Sequence, residues 1–473
     1  MKRYERHADD IAQLIHSGAL RPGDRVPSVR EASRTRGISP STVFEAYYLL
    51  EAQGLIHARP RSGYYVSARA PIAEARPAEP QPSQTAATST DVAISDLVFE
   101  VLGAVGARDI VPFGSAFPSP HLFPMEKLAR AVSASMRRLD PWSTVTDLSL
   151  GNAELRRQIA LRYQLDGVLV SSDDIVITNG ALEALNLCLQ AVTRPGDTVL
   201  IESPSFYACL QALERLELKA VEIATSPRDG VDLAALEELL QRHQPKACWL
   251  MTSFQNPLGS LMPPEKKRAL VELLARHGVP LIEDDVYGEL YFGKQRPGLT
   301  KSHDSAGLVM HCSSFSKTLA PGFRLGWAVA GRYARQVERL KLTTSLSAPI
   351  PLQMALADYL AQGGYDRHLR QLRLTLAAQQ NTMLQAIAVH FPRGTRVTRP
   401  QGGYFVWVEM PAGVDALALH RSALAAGISI APGPIFSATR AFRHCIRLNY
   451  GHPWSPQLEE AIATLGRLAL AAA

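Results

Sequence analysis

Cysteine is scarce: the 473 residues contain five, Cys188, Cys209, Cys248, Cys312 and Cys445. They are odd in number and far apart, which excludes a disulfide scaffold, and no pair has zinc-ligand spacing. A reduced, cytoplasmic compartment is the expectation. Long apolar runs are also missing. None approaches the roughly 20 residues that a bilayer-spanning helix needs. The first ten residues, MKRYERHADD, are charged and lack the apolar stretch of a secretory signal. Neither GxxxxGK[ST] nor GxGxxG occurs, which disfavours a P-loop or a dinucleotide site. Charge of one sign is only mildly in excess, at +6 from 50 Lys+Arg and 44 Asp+Glu. What is present is 46% hydrophobic and 20% charged residues, the balance of a globular protein.

No aromatic falls between Tyr65 and Phe99. Residues 68–95 are built from Ala, Pro, Gln, Ser and Thr and cannot bury enough apolar surface to offset their ordering entropy. They read as an extended, flexible linker. The chain thus divides into a head, 1–67, the linker, 68–95, and a body, 96–473. The head holds ten Lys+Arg against seven Asp+Glu.

In the head, Ile11, Leu14 and Ile15 share one face of a helix over 5–16. Ser28 is placed to cap a short helix running to Arg34, and Gly37 suits a tight turn after it. Ser39 caps a second helix with Pro40 at its first position, where a missing N–H costs nothing. Val43, Ala46, Tyr47 and Leu50 give that helix an apolar face. Short helix, glycine turn, second helix is a helix-turn-helix, whose second helix enters a major groove by its first residues, here Ser41 and Thr42. The following LIHARPRSGYYV reads as a hairpin tipped by Arg59, Arg61 and Gly63, suited to phosphates or a minor groove. Arg30 is a further candidate for DNA contact. The bland alternative for the arginines is a solvated surface charge.

The body alternates short apolar runs with helical stretches, which argues for βαβ units and a mainly parallel sheet. The runs are 175–177, 198–201, 247–251, 280–282 and 307–310. Ligands bind beyond the carboxyl ends of such strands, and polar residues follow nearly every run. Singly, each has a bland reading as a turn, a cap or a surface cation. Jointly they fit pyridoxal phosphate. Lys317 offers the Schiff-base amine. Asp284 can hold the pyridine nitrogen protonated. Asn256 and Tyr287 can donate to the phenolate oxygen. Phe206 can flank the ring. Backbone N–H groups at Gly180-Ala181, the Ser314 hydroxyl and the Arg324 guanidinium suit the phosphate.

These residues carry two resemblances. Val26-Pro27-Ser28-Val29-Arg30, Ser41-Thr42-Val43, Ala46-Tyr47 and the wing Ser62-Gly63-Tyr64-Tyr65-Val66 resemble the winged helix-turn-helix of GntR-type bacterial repressors. One position departs, with Pro40 where that family usually has Arg. The motifs Ser203-Pro204-Ser205-Phe206, Asn256-Pro257-Leu258-Gly259, Asp284-Asp285-Val286-Tyr287 and Ser314-Phe315-Ser316-Lys317 resemble the fold-type-I aminotransferases. That resemblance implies that Arg447, in Cys445-Ile446-Arg447-Leu448-Asn449, binds a substrate or effector carboxylate. Two further positions depart: Ala116-Phe117-Pro118 replaces the usual Gly-x-Pro, and the usual tyrosine is absent, so that Thr146 or Ser149 substitutes for it or nothing does. Together the halves resemble the MocR/GabR group of transcription regulators. The resemblance implies an α+β head and an α/β body, a homodimer assembled head-to-tail, operator DNA as partner and a small amino compound as effector, sensed at Lys317. A working aminotransferase with an autoregulatory head is the alternative.

Overall fold

The structure is a computed structural model that describes residues 3–52, 54–59, 62–67, 77–103, 109–146, 148 and 150–472. The head consists of α1 (Arg3–His16), α2 (Val29–Arg36), α3 (Pro40–Ala52) and an antiparallel hairpin of β1 (Ile56–Arg59) and β2 (Gly63–Val66). The Ser28 hydroxyl accepts the Glu31 N–H at 3.2 Å and starts α2. Gly37, with φ 63°, ends it two residues beyond the expected Arg34. The Ser39 hydroxyl accepts the Thr42 N–H at 3.2 Å and starts α3. Ala8, Ile11, Val26, Val43, Tyr47, Leu50 and Val66 form the core of the head. Leu14 is not part of it: α1 faces inward through Ala8 and Ile11, and Leu14 is exposed.

The expected linker is only partly a linker. Residues 68–76 lie outside the described residues, but the chain from 77 onward is laid on the body. The Ala78 carbonyl accepts the Val397 N–H, and Ser83 exchanges hydrogen bonds with Thr225. Thr90–Asp91 adds an edge strand to the main sheet, and Val92 and Ile94 are buried in the main core. Composition signals missing apolar surface, but backbone pairing to a sheet edge needs none.

The main sheet of the body runs in the order Thr90–Asp91, Lys219–Ser226, Thr198–Ser203, Ala247–Leu250, Leu281–Asp284, Val309–Ser314, Gly326–Val329, Ile175–Thr178. The five strands from Lys219–Ser226 to Val309–Ser314 are mutually parallel, and Gly326–Val329 is antiparallel to both its neighbours. A smaller antiparallel sheet contains Phe405–Glu409 and Cys445–Asn449, paired in the register Trp407↔Arg447. The 27-residue helix Gly364–His390 packs on both the body and α3. Among the described residues no helix is long and apolar enough to cross a membrane.

Candidate cofactor site and nucleic-acid interface

Parallel strands end together, so the residues after them converge. Lys317 follows the Val309–Ser314 strand. Its Nζ donates to the Ala116 carbonyl at 3.0 Å and lies 3.7 Å over the Phe117 ring. Burial, reinforced by the Arg447 charge and opposed by Asp284, pushes the amine down to about 7. Asp284 ends the adjacent strand. Burial, together with Asp285, pushes its carboxyl up to about 7, and its Oδ1 has no hydrogen-bond partner. Burial thus shifts both groups toward their neutral forms, as a low-dielectric site dictates.

Arg447 is fully buried in the smaller sheet. Its Nη1 donates to Asn256 Oδ1 at 3.1 Å and its Nη2 to the Gly114 carbonyl at 2.7 Å, while Nε is unpaired. The guanidinium stacks on Phe405 at 4.2 Å. Asn256 keeps Nδ2 unpaired. Tyr287 is buried edge-on to Tyr404 and Phe405, and burial raises its phenol pKa. Phe206 is half-buried at the N-terminal end of the helix Tyr207–Arg215.

Gly180 caps the helix Ala181–Val192 with φ 85°. A Cβ at Gly180 would lie 2.6 Å from the Arg324 guanidinium, so glycine alone keeps backbone N–H groups and cation together. Arg324 Nη2 donates to the Asn179 carbonyl at 3.2 Å. Ser314 Oγ accepts the Ser316 N–H at 3.4 Å, and the buried Ser316 Oγ has no partner. Orphaned Asp284 Oδ1, Asn256 Nδ2 and Ser316 Oγ, a lysine of lowered pKa and a helix N-terminus beside an arginine match the donor and acceptor needs of pyridoxal phosphate.

Tyr404, Glu183 and Lys341 carried no usable sequence signal. The Tyr404 hydroxyl donates to the same Ala116 carbonyl that holds Lys317, at 3.0 Å. That carbonyl is backbone, which any residue supplies. Glu183 accepts the Asn179 N–H at 2.5 Å and is paired with the buried Lys341 at 2.9 Å, behind the start of the helix Ala181–Val192. The Thr146 hydroxyl donates to the Trp142 carbonyl of its own short helix, and Ser149 lies outside the described residues.

In the head, Ser41 is exposed and Thr42 half-buried at the start of α3, and both hydroxyls lie 2.8 Å from Ser39 Oγ. Arg30 is exposed on α2. Arg59 is exposed at the hairpin tip with its guanidinium 4.4 Å over the Tyr65 ring. Arg61 lies outside the described residues. Gly63, with φ 111°, lies beside Arg25, a wing cation that sequence reasoning passed over. Arg36 is paired with Asp10 at 3.0 Å.

Residues 127–465 match the family described as aminotransferase class I and II, and residues 3–66 match the bacterial regulatory proteins of the gntR family. The chain is 48% identical to the uncharacterised HTH-type transcriptional regulator YdcR of Escherichia coli, over 99% of each chain. It is 38% identical to a second such regulator of that organism, YjiR, over 98% of each. Among solved structures, a kynurenine aminotransferase of Pyrococcus horikoshii in complex with PMP is similar at TM-score 0.74 and 30% identity, covering 79% of this chain and 94% of that one.

Proposed function

Because this chain belongs to the aminotransferase class I and II family and carries a gntR-family head, as HTH-type transcriptional regulators of the MocR type do, we propose that it senses a small amino compound at Lys317 and passes the signal to operator DNA. The observation that carries this reading is the set of unpaired buried groups around Lys317, namely Asp284 Oδ1, Asn256 Nδ2 and Arg447 Nε. Pyridoxal phosphate, when bound, supplies an aldehyde that condenses reversibly with amines and a ring that accepts electrons. Asp284 would hold the ring nitrogen, Asn256 and Tyr287 the phenolate oxygen, and Phe206 the ring face. Gly180, Ala181, Ser314 and Arg324 would hold the phosphate. Lys317, pushed to about 7, keeps a large neutral fraction near pH 7 and so offers a nucleophile. Arg447 offers the fork that fits a carboxylate, which makes an amino acid the favoured effector class.

Arg30, Ser41, Thr42, Arg59, Arg61 and Gly63 form the proposed DNA face, working in the cytoplasm as a homodimer. Phe99, Trp142 and Val145 are exposed apolar side chains on the body that support such a dimer. The head rests on the long helix of its own chain, and in a head-to-tail dimer that face of α3 would rest on the same helix of the partner subunit instead. The alternative, a working aminotransferase, is supported by the likeness to the kynurenine aminotransferase.

The test titrates amines into the cofactor-loaded protein, following cofactor absorbance and DNA affinity together. A regulator shows both responding to the same amine, and Lys317→Ala abolishes both. Steady turnover of an amino donor and a keto acceptor at ordinary enzyme rates, with DNA affinity unmoved, overturns this reading in favour of the enzyme.

A further inference from the structure

The helix Gly364–His390 touches both working parts of the molecule. Its first turn grips Thr318, the residue after Lys317. Tyr365 Oη and Thr318 Oγ1 share a hydrogen bond of 2.7 Å, and His368 Nε2 donates to the Thr318 carbonyl at 2.7 Å. Thr318 and Tyr365 are buried, so water does not compete for these bonds. The neighbouring loop is tied to the same helix. Arg373 donates to the Glu289 carbonyl at 2.7 Å and to its carboxylate at 3.1 Å. Arg162 bridges Glu289 at 2.5 Å and Asp366 at 3.0 Å. Arg296 extends the cluster to Asp285 at 3.0 Å. Glu289 follows Tyr287 by two residues, and Asp285 follows Asp284 directly.

The far end of the helix meets the head. Gln385 lies beside Gly54, just past α3, and α3 itself packs on the helix. At about 1.5 Å per residue, 27 residues span roughly 40 Å. A packed helix of this kind moves as a unit and does not deform continuously.

We propose that the helix Gly364–His390 couples the chemical state of Lys317 to the placement of the head, with Tyr365 as the positioning residue that grips Thr318. The Lys317–Thr318 peptide cannot shift without breaking that grip or dragging the helix. The hydroxyl pair is the side-chain half of the grip, and the His368 bond to the Thr318 carbonyl, which deleting either hydroxyl leaves in place, is the backbone half. The proposal rests on the cofactor reading given above.

The test is hydrogen exchange on the full chain loaded with pyridoxal phosphate, before and after adding aminooxyacetate. That probe takes the cofactor carbon off the lysine. The C=N bond to Lys317 Nζ breaks, a C=N bond to the aminooxy nitrogen forms, and the two protons of that nitrogen pass to Lys317 Nζ. In the wild type, exchange at residues 364–372 and in α3 should change together. In Tyr365→Phe and in Thr318→Val the absorbance response should persist while the α3 change falls at least threefold. Thr318→Ser keeps the hydroxyl and should behave as wild type. An α3 response undiminished in both hydroxyl-deleting variants overturns the coupling. So does a wild-type spectral response with no α3 response. A wild type whose cofactor absorbance never responds overturns the underlying reading, and the coupling with it.

Discussion

Asp284 and Lys317 have pKa values shifted in opposite directions, so they change stability in opposite senses as pH rises. In the cofactor-free protein the folded carboxyl of Asp284 keeps its proton up to about pH 7, against 3.8 for the ordinary group. Stability therefore falls as pH rises across that window, and the loss is complete above it. Folded Lys317 loses its proton near 7, against 10.5 ordinarily, so its penalty is full below 7 and is recovered as pH climbs to 10.5. Asp284→Asn removes the carboxylate penalty. At pH 8 it should stabilise the cofactor-free protein by roughly 2 kcal/mol in thermal unfolding. The same variant should bind pyridoxal phosphate more weakly, having lost the partner of the ring nitrogen. Arg447→Lys separates recognition from chemistry. Affinity for amino acids should drop by about 2–3 kcal/mol through loss of the bidentate fork. Affinity for amines without a carboxylate should hold, which a spectral titration of matched pairs reads out. At this scale Lys317, Asp284, Asn256 and Arg324 were legible because the chemistry demands those side chains. The Ala116 carbonyl and the Thr318 grip were not, because neither contact constrains which residues lie between its ends.

Among elements, the head was legible through its caps. Ser28, Gly37, Ser39 and Pro40 mark helix ends by mechanisms that act within a few residues. The strands of the body were legible only in their apolar part. Glu202-Ser203, Glu283-Asp284 and Cys312-Ser313-Ser314 continue the strands, because the sheet carries polar residues into the crevice. The strand Lys219–Ser226 escaped reading because half-exposed residues interrupt its apolar ones, and Gly326–Val329 escaped it as well. The pairing that braces the start of the helix Ala181–Val192 was equally hidden, since Lys341 stands 158 residues from Glu183. Burial raises the Glu183 pKa, but the bonds from Ser345 and Lys341 outweigh it and hold the carboxyl below its ordinary value. Lys341→Met should cost about 2 kcal/mol in thermal unfolding by leaving that carboxylate without its cation. Cofactor affinity, measured by titration, should weaken about tenfold at the same time, at about 1.4 kcal/mol per factor of ten. On the hairpin, Arg59→Ala should weaken DNA binding evenly across sequences and reduce the salt slope by about one.

In the whole molecule, the regulator reading is a statement about linkage. An effector that shifts DNA affinity by some factor must have its own affinity shifted by DNA through the same factor. Paired titrations should return equal factors, in the range of about 5 to 150 for ordinary coupling energies. Unequal factors at equilibrium would mean that the two ligands do not act on one shared equilibrium. The overall architecture was legible because each half announces itself by a separate device, caps in the head and polar strand ends in the body. The attachment between them was not, because the chain from 77 to 95 is held by backbone bonds and a short edge strand.

That attachment sets a rule for recombining such proteins. The Ala78 and Ser83 bonds, the Thr90–Asp91 strand and buried Val92 and Ile94 make everything after residue 76 part of the receiving surface. A chimera that exchanges heads should be joined within 68–76. A graft cut at 95 would import a foreign edge strand along with the foreign reader, and would carry its incompatibility into the sheet that presents Lys317.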